Sequence, residues 1–168
     1  MVMYTILKAT VLAAAATAAS IPARSTASFR LAANVTGLDL NPSVQGQELT
    51  YIPNDDCVAP LYFAAPGSGA TFYTTDQNVG VVNFNGGSSP GAGMIVTPGG
   101  TATVPSSNVV ELQCSASTIG VTVGATGLQY DGGAWMACPR DGAIVLSFKQ
   151  AGQRTLASCA DVQLLPIF

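Results

Sequence analysis

Hydrophobic and polar positions alternate in short runs along most of the chain. Around residues 29–33, Phe29, Leu31 and Ala33 occupy every second position, which is the period of a strand with one buried face. Beyond the first twenty residues, no stretch shows the apolar spacing of an amphipathic helix. The pattern predicts strands at 29–33, 47–52, 59–65, 70–75, 79–84, 93–97, 101–104, 109–115, 118–123, 128–130, 134–138, 144–150 and 162–167.

Gly, Pro, Asn and Asp separate these runs and predict turns. Hairpins are predicted at 98–100, 130–133 and 140–142, where adjacent turn residues allow positive φ. The Gly- and Ser-rich segment 85–91 is interpreted as an exposed loop within one domain. Many short strands with frequent turns predict an all-β fold, a single-domain antiparallel β-sandwich or barrel.

The first twenty residues have the organisation of a secretory signal. Lys8 precedes an apolar run at 9–19, and small residues fill 16–20, as a signal peptidase requires. The run is too short to span about 30 Å of hydrocarbon. The sequence therefore predicts a signal peptide at 1–19, a secreted β-domain at 20–168, and extracellular or cell-wall localisation.

Charged residues make up only 9% of the chain, against about 25% in an average globular protein. After removal of Lys8 with the signal, nine acidic residues outnumber five basic ones. Such a surface excludes nucleic acid as a partner and offers no basic face to anionic lipid. The sequence contains no His, which excludes His-based triads and His metal sites. No metal and no cofactor is predicted.

Cys57, Cys114, Cys138 and Cys159 are the four cysteines. An even number in a secreted chain predicts two disulfides, for which three pairings are possible. The separations of 57, 24 and 21 residues are too wide for a four-Cys zinc site. We favour Cys138–Cys159 with Cys57–Cys114, because the first pair closes the shorter loop and keeps neighbouring strands adjacent.

One sequon is present with an allowed middle residue, Asn34-Val35-Thr36. In a secreted chain this motif predicts an N-linked glycan on Asn34.

Two groups of side chains are candidates for chemistry. Asp55-Asp56, together with Glu48, Glu111 or Asp131, has the residue types of a glycosidase carboxylate pair. The alternative interpretation, which we favour, is a turn at Asp55-Asp56 after Pro53. Glu111, alternating with Gln113 in a predicted strand, is expected to point outward as a solvated residue.

Trp135 is the only tryptophan and lies close in sequence to Tyr130 and Asp131. An aromatic ring beside a carboxylate is a common arrangement for holding sugars, so these three residues are ligand candidates. Trp135 also lies beside Cys138, where a large side chain usually fills the core against a disulfide. We favour the core interpretation and expect any binding to depend on Trp135 or on the loops around Asp131 and 85–91.

Both ends of the chain resemble a family of small secreted fungal proteins with an uncharacterised domain, often described as cell-wall or IgE-binding-like. The similar segments are SFRLAANVT at 28–36, DLNPSV at 39–44, WMAC at 135–138 and SCADVQLLP at 158–166. The resemblance implies an extracellular location, an all-β fold and a Cys138–Cys159 bridge. It brings no catalytic residues.

Three functions remain open at the sequence level. The favoured hypothesis is a secreted, non-enzymatic β-domain that is structural or binds a cell-wall glycan or an extracellular protein. A small polysaccharide hydrolase would instead bring two carboxylates together in an open cleft. A secreted effector that binds a host or competitor protein would present a broad apolar patch.

Overall fold

The computed structural model describes residues 27–52, 57–75, 77–84 and 91–168. The predicted signal peptide at 1–19 and the Asp55-Asp56 pair lie outside the described residues. The strands are β1 (Arg30–Val35), β2 (Glu48–Tyr51), β3 (Val58–Ala64), β4 (Phe72–Thr74), β5 (Val79–Val81), β6 (Ala92–Ile95), β7 (Glu111–Cys114), β8 (Thr122–Gly124), β9 (Gly127–Gln129), β10 (Ala134–Arg140), β11 (Ala143–Lys149) and β12 (Ala160–Ile167). The all-β prediction is confirmed.

Six antiparallel strands close on themselves. They follow the order β11-β10-β12-β1-β2-β3, and a pairing of β11 with β3 at Val145↔Tyr62 completes the ring. A closed ring leaves no free edge between these strands. Of the two predicted architectures, sandwich and barrel, this part of the molecule is a barrel.

A second antiparallel layer continues from β3 in the order β3-β7-β6-β5-β4. β3 serves both layers because its first half pairs with β7 and its second half with β2. The far strand returns to the barrel, since Phe29 and Phe72 exchange two backbone hydrogen bonds of 3.0 and 2.7 Å. The main core is one cluster of buried residues drawn from both layers.

Alternation along β1, β3 and β12 supplies much of that core. In β1, Leu31 and Ala33 point inward, as their spacing predicts, and Leu112 of β7 and Leu146 of β11 are fully buried. Trp135 and Phe148 pack against each other with ring centroids 5.2 Å apart.

The outer face of β10 and β11 is also covered. Met136, Cys138 and Val145 form a small second core there, against which Leu156 and Cys159 of the preceding loop of β12 pack. This explains why β10 is apolar at successive positions instead of alternating with polar residues.

Both predicted disulfides are confirmed. Cys57–Cys114 joins the start of β3 to the end of β7, with 5.3 Å between the Cα atoms. Cys138–Cys159 fastens the 150–159 segment to the outer face of β10, with 4.3 Å between the Cα atoms.

The three predicted hairpins have different outcomes. The 140–142 turn joins β10 to β11 as predicted, with positive φ at Asp141 and Gly142. The 130–133 segment is a tight turn, but the strands on either side do not pair, because β9 pairs with β8 and β10 pairs with β11 and β12. At 98–100 the prediction of a hairpin is wrong. Residues 101–104 form no strand, and Gly100 makes only an isolated bridge to Pro105.

Candidate functional site

A cleft of about 530 Å³ opens on the outer surface where β3, β7 and β11 meet. The register places its floor residues on one face, because Pro60 of β3 lies opposite Glu111 of β7. The end of the β10–β11 hairpin forms one wall, and the 97–108 segment forms the other. The lining residues are Pro60, Thr97, Asn108, Val109, Glu111, Arg140, Asp141, Ala143 and Val145.

The hairpin wall is fixed in place by Arg140. Its Nη1 donates a hydrogen bond to the carbonyl of Ser107 at 3.2 Å, so the guanidinium spans from one wall to the other. Its Nε lies 3.8 Å from Asp141 Oδ2. The side chain of Arg140 is 52% exposed, and part of its donor capacity therefore faces solvent.

The opposite wall is fixed by side-chain amides. Asn108 Nδ2 donates to the carbonyl of Thr97 at 3.1 Å. Behind it, the buried Gln153 donates to the carbonyls of Gly99 at 3.1 Å and Thr101 at 2.6 Å. The cleft is therefore preformed, with both walls anchored by hydrogen bonds.

Glu111 lies in a different environment from the one that the sequence predicts. It points outward with Gln113 as expected, but it is half-buried and lines the cleft instead of a solvated surface. Among the described residues, none donates a hydrogen bond or forms an ion pair to its carboxylate. Glu111 therefore offers free acceptor oxygens to a ligand. No local sequence signal marks this role, because β11 reaches the cleft from more than thirty positions away in the chain.

Trp135 lies in the core, which is the interpretation favoured from the sequence, and not in an aromatic platform at the surface. Trp135 is 3% exposed, and its Nε1 donates to the carbonyl of Leu128 at 2.7 Å. Tyr130 packs edge-on against Phe148 with ring centroids 5.2 Å apart. Asp131 is exposed in the adjoining turn with φ of 45°. None of these three ligand candidates lines the cleft, and Trp135 lies in the core because its ring and its N–H are both satisfied there.

Glu48 has a structural environment. It is buried and accepts hydrogen bonds from Arg30 Nη1 at 3.1 and 3.0 Å and from the backbone N–H of Gly69 at 2.9 Å. Burial works to raise the pKa of Glu48, but hydrogen bonds from the backbone of Gly67 and Gly69 and the charge of Arg30 outweigh it and lower the pKa. With both oxygens engaged, this carboxylate holds the 66–69 turn onto β2.

The chain matches the family described as a domain of unknown function, DUF7907, over residues 26–168. It belongs to that family. A comparison with curated proteins and a comparison with solved structures found no match. The match spans all twelve strands, so the cleft lies wholly within the DUF7907 domain.

Among the described residues of this DUF7907 domain, no group of three or more His, Cys, Asp or Glu side chains is arranged to hold a metal ion. In the same part of the chain, no helix has the length and apolar character needed to cross a membrane.

Asn34 lies on the outer face of β1 in the DUF7907 domain. It is opposite Gln163 of β12, and its Nδ2 donates to Gln163 Oε1 at 3.1 Å. Glycosylation of this residue remains a prediction.

Proposed function

We propose that this DUF7907 domain is a secreted, non-enzymatic protein that binds an extracellular glycan in the cleft between the β10–β11 hairpin and the 97–108 segment. The observation that carries the proposal is the cleft itself. It is preformed, part of its lining is apolar, and the carboxylate of Glu111 lies in it without a partner among the described residues. The resemblance of both chain ends to secreted fungal proteins supports a fungal cell-wall setting.

The chemistry of the lining suits a sugar. Pyranose rings present an apolar face of C–H groups and a rim of hydroxyls. Pro60, Val109 and Val145 supply apolar surface, and Glu111 and Arg140 supply an acceptor and donors beside it. The volume of about 530 Å³ lies within the usual range of ligand sites, roughly 300–1,000 Å³.

The disulfides support the extracellular part of the proposal. Structural disulfides persist in oxidising compartments and are rare in the cytosol. Both bridges pair cysteines that are distant in sequence and join different elements of the fold. Together with the predicted signal peptide, they favour secretion.

A hydrolase is the weaker candidate for the same cleft. Two carboxylates, Glu111 and Asp141, do line it. However, the side chain of Asp141 is 95% exposed at the tip of the hairpin and lies near Arg140. Glycosidases rely on an acid in a secluded, partly desolvated environment, which Asp141 does not have.

The proposal predicts that Glu111→Ala weakens glycan binding about tenfold, the equivalent of roughly 1.4 kcal/mol for a lost hydrogen bond to a charged group. The measurement is isothermal titration of the secreted protein with chitohexaose, laminarihexaose and mannohexaose. Gln113→Ala is the matched control, because Gln113 lies on the same face of β7 outside the cleft.

The control is expected to bind like the wild type. Binding of none of the three sugars, or equal loss in both variants, contradicts the proposal. Release of reducing ends from any sugar by the wild type, abolished in Glu111→Ala, would establish the hydrolase instead.

A further inference from the structure

A second cavity, of about 590 Å³, lies beside the predicted glycan acceptor. It is bordered by the loop after β1 and by the loop before β12. Its lining residues are Leu38, Asp39, Leu40, Asn41, Thr155, Leu156, Ala157, Ser158, Cys159 and Asp161. It shares no lining residue with the cleft described above.

We propose that this cavity is the binding site of a glycan attached to Asn34, and that the first sugar rings of this glycan lie in it. The inference rests on the secretion proposed above, because N-linked glycans are added in the secretory pathway. It goes beyond the sequon by naming where the sugar lies and what it covers.

The attachment geometry is compatible with the folded structure. The amide of Asn34 has two hydrogens on Nδ2, of which Gln163 Oε1 accepts one at 3.1 Å. N-glycosylation replaces one hydrogen and leaves the other. The hydrogen bond to Gln163 can therefore persist while the sugar extends from the outer face of β1.

The cavity lies within reach of the first sugar. Asn34 is opposite Gln163, and Asp161, which lines the cavity, lies two residues further along the same face of β12. Two residues of a strand cover about 7 Å. The backbone N–H of Thr36 donates to the carbonyl of Asp161 at 2.9 Å, so the sequon and the border of the cavity are directly joined.

Both loops are fixed by their own hydrogen bonds. Asp39 accepts from the backbone N–H of Leu40 at 2.7 Å and of Val44 at 3.0 Å. Asp161 accepts from Lys149 Nζ and from the hydroxyl of Thr155, each at 2.6 Å. The cavity therefore exists before any sugar enters, and little ordering entropy opposes its occupation.

The lining matches an N-acetylhexosamine. Leu38, which is 91% exposed, and Leu156 offer apolar surface to the C–H face and the acetamido methyl. The side chains of Asn41 and Ser158 bond to none of the described residues and are free to bind sugar hydroxyls. A seated sugar would shield the large exposed apolar side chain of Leu38.

The test compares two single substitutions in the full chain, expressed through a yeast secretory pathway. Thr36→Ser keeps the sequon and Thr36→Ala removes it, and both change only an exposed side chain. Intact mass before and after endoglycosidase treatment reports the glycan. We expect it in the wild type and in Thr36→Ser, and not in Thr36→Ala.

Amide hydrogen exchange then shows whether the sugar occupies the cavity. We expect the backbone amides of 38–41 and 156–159 to exchange about tenfold more slowly in Thr36→Ser than in Thr36→Ala, because a seated sugar excludes solvent and restrains both loops. The amides of 140–143, at the cleft, should exchange equally in the two proteins.

Each other result overturns a specific statement. A secreted protein without sugar on Asn34 overturns the proposed sugar site. A glycosylated protein whose two loops exchange equally in Thr36→Ser and Thr36→Ala overturns it too. Neither result contradicts the proposal of a glycan-binding cleft. Failure of the chain to be secreted overturns the secretion on which both proposals rest.

Discussion

At the scale of single residues, the functional candidates of the sequence form two groups. In one group the polar atoms of the side chain already have hydrogen-bond partners in the fold, and in the other they do not. Glu48 and Trp135 are candidates by residue type, but the carboxylate oxygens of Glu48 and the indole N–H of Trp135 already have hydrogen-bond partners in the fold. Glu111 is expected from the sequence to be a solvated residue, and it becomes a binding candidate because it lines the cleft and no described residue satisfies its carboxylate. Burial and partner count come from tertiary neighbours, so residue type alone could not separate these cases.

Glu48 carries a pH-dependent part of the stability. Its folded pKa lies below the ordinary value of 4.5, so its stabilisation is fully present above that value and is lost as the pH falls through the folded pKa. We expect Glu48→Gln to lower the free energy of unfolding at pH 7 by about 1–3 kcal/mol, since Arg30 and Gly69 lose a charged acceptor. Urea unfolding from pH 7 to pH 2.5 measures this.

The difference between the wild type and Glu48→Gln should shrink on acidification below about pH 4.5, because protonation removes the same charge from the wild type. Asp141→Asn is the control, since Asp141 is exposed, and its free energy of unfolding at pH 7 should match that of the wild type. A Glu48→Gln deficit that stays constant down to pH 2.5 would contradict this, because it would show that folding does not lower the pKa of Glu48.

At the scale of elements, the strands were predictable because their signal is local. Alternation located β1, and β-branched and aromatic runs bounded by turn residues located β10 and β11. The segment 101–104 has the same local signal and is not a strand. There the buried Gln153, which lies about fifty residues further along the chain, donates hydrogen bonds to the backbone carbonyls of Gly99 and Thr101. A contact with residue 153 leaves no trace in the local pattern.

Each disulfide joins two neighbouring parts of the sheet, Cys57–Cys114 beside the β3–β7 pairing and Cys138–Cys159 beside the β10–β12 pairing. Cys57–Cys114 spans 57 residues and Cys138–Cys159 spans 21. By the loop-entropy relation, replacing each pair with alanine should lower the free energy of unfolding by about 4 and about 3 kcal/mol respectively. Guanidinium unfolding of the two double-alanine proteins measures the two losses.

The variant lacking Cys57–Cys114 should be the less stable of the two. The wild type after reduction should lose more than either variant, because both loops are then open. A loss below about 1 kcal/mol in either variant would contradict the assigned contribution of that bridge.

At the scale of the whole molecule, closure of the barrel creates the cleft. The Val145↔Tyr62 pairing brings β11 onto β3, and the hairpin beyond β10 then stands opposite the 97–108 segment. Such long-range pairings decide between a sandwich and a barrel, and the strand pattern was compatible with both. The fold class and the disulfides were therefore accessible from the sequence, whereas the cleft and its lining were not.

The most direct test of the central claim fills each cavity in turn. Ala143 lines the cleft and Ala157 lines the second cavity, and both are exposed. We expect Ala143→Trp to reduce binding of the best oligosaccharide at least tenfold, because the indole occupies the cleft, while Ala157→Trp binds like the wild type. Titration of both proteins, each shown by circular dichroism to unfold at the wild-type temperature, measures this. Unchanged affinity in Ala143→Trp would contradict the account, because the glycan would then bind elsewhere.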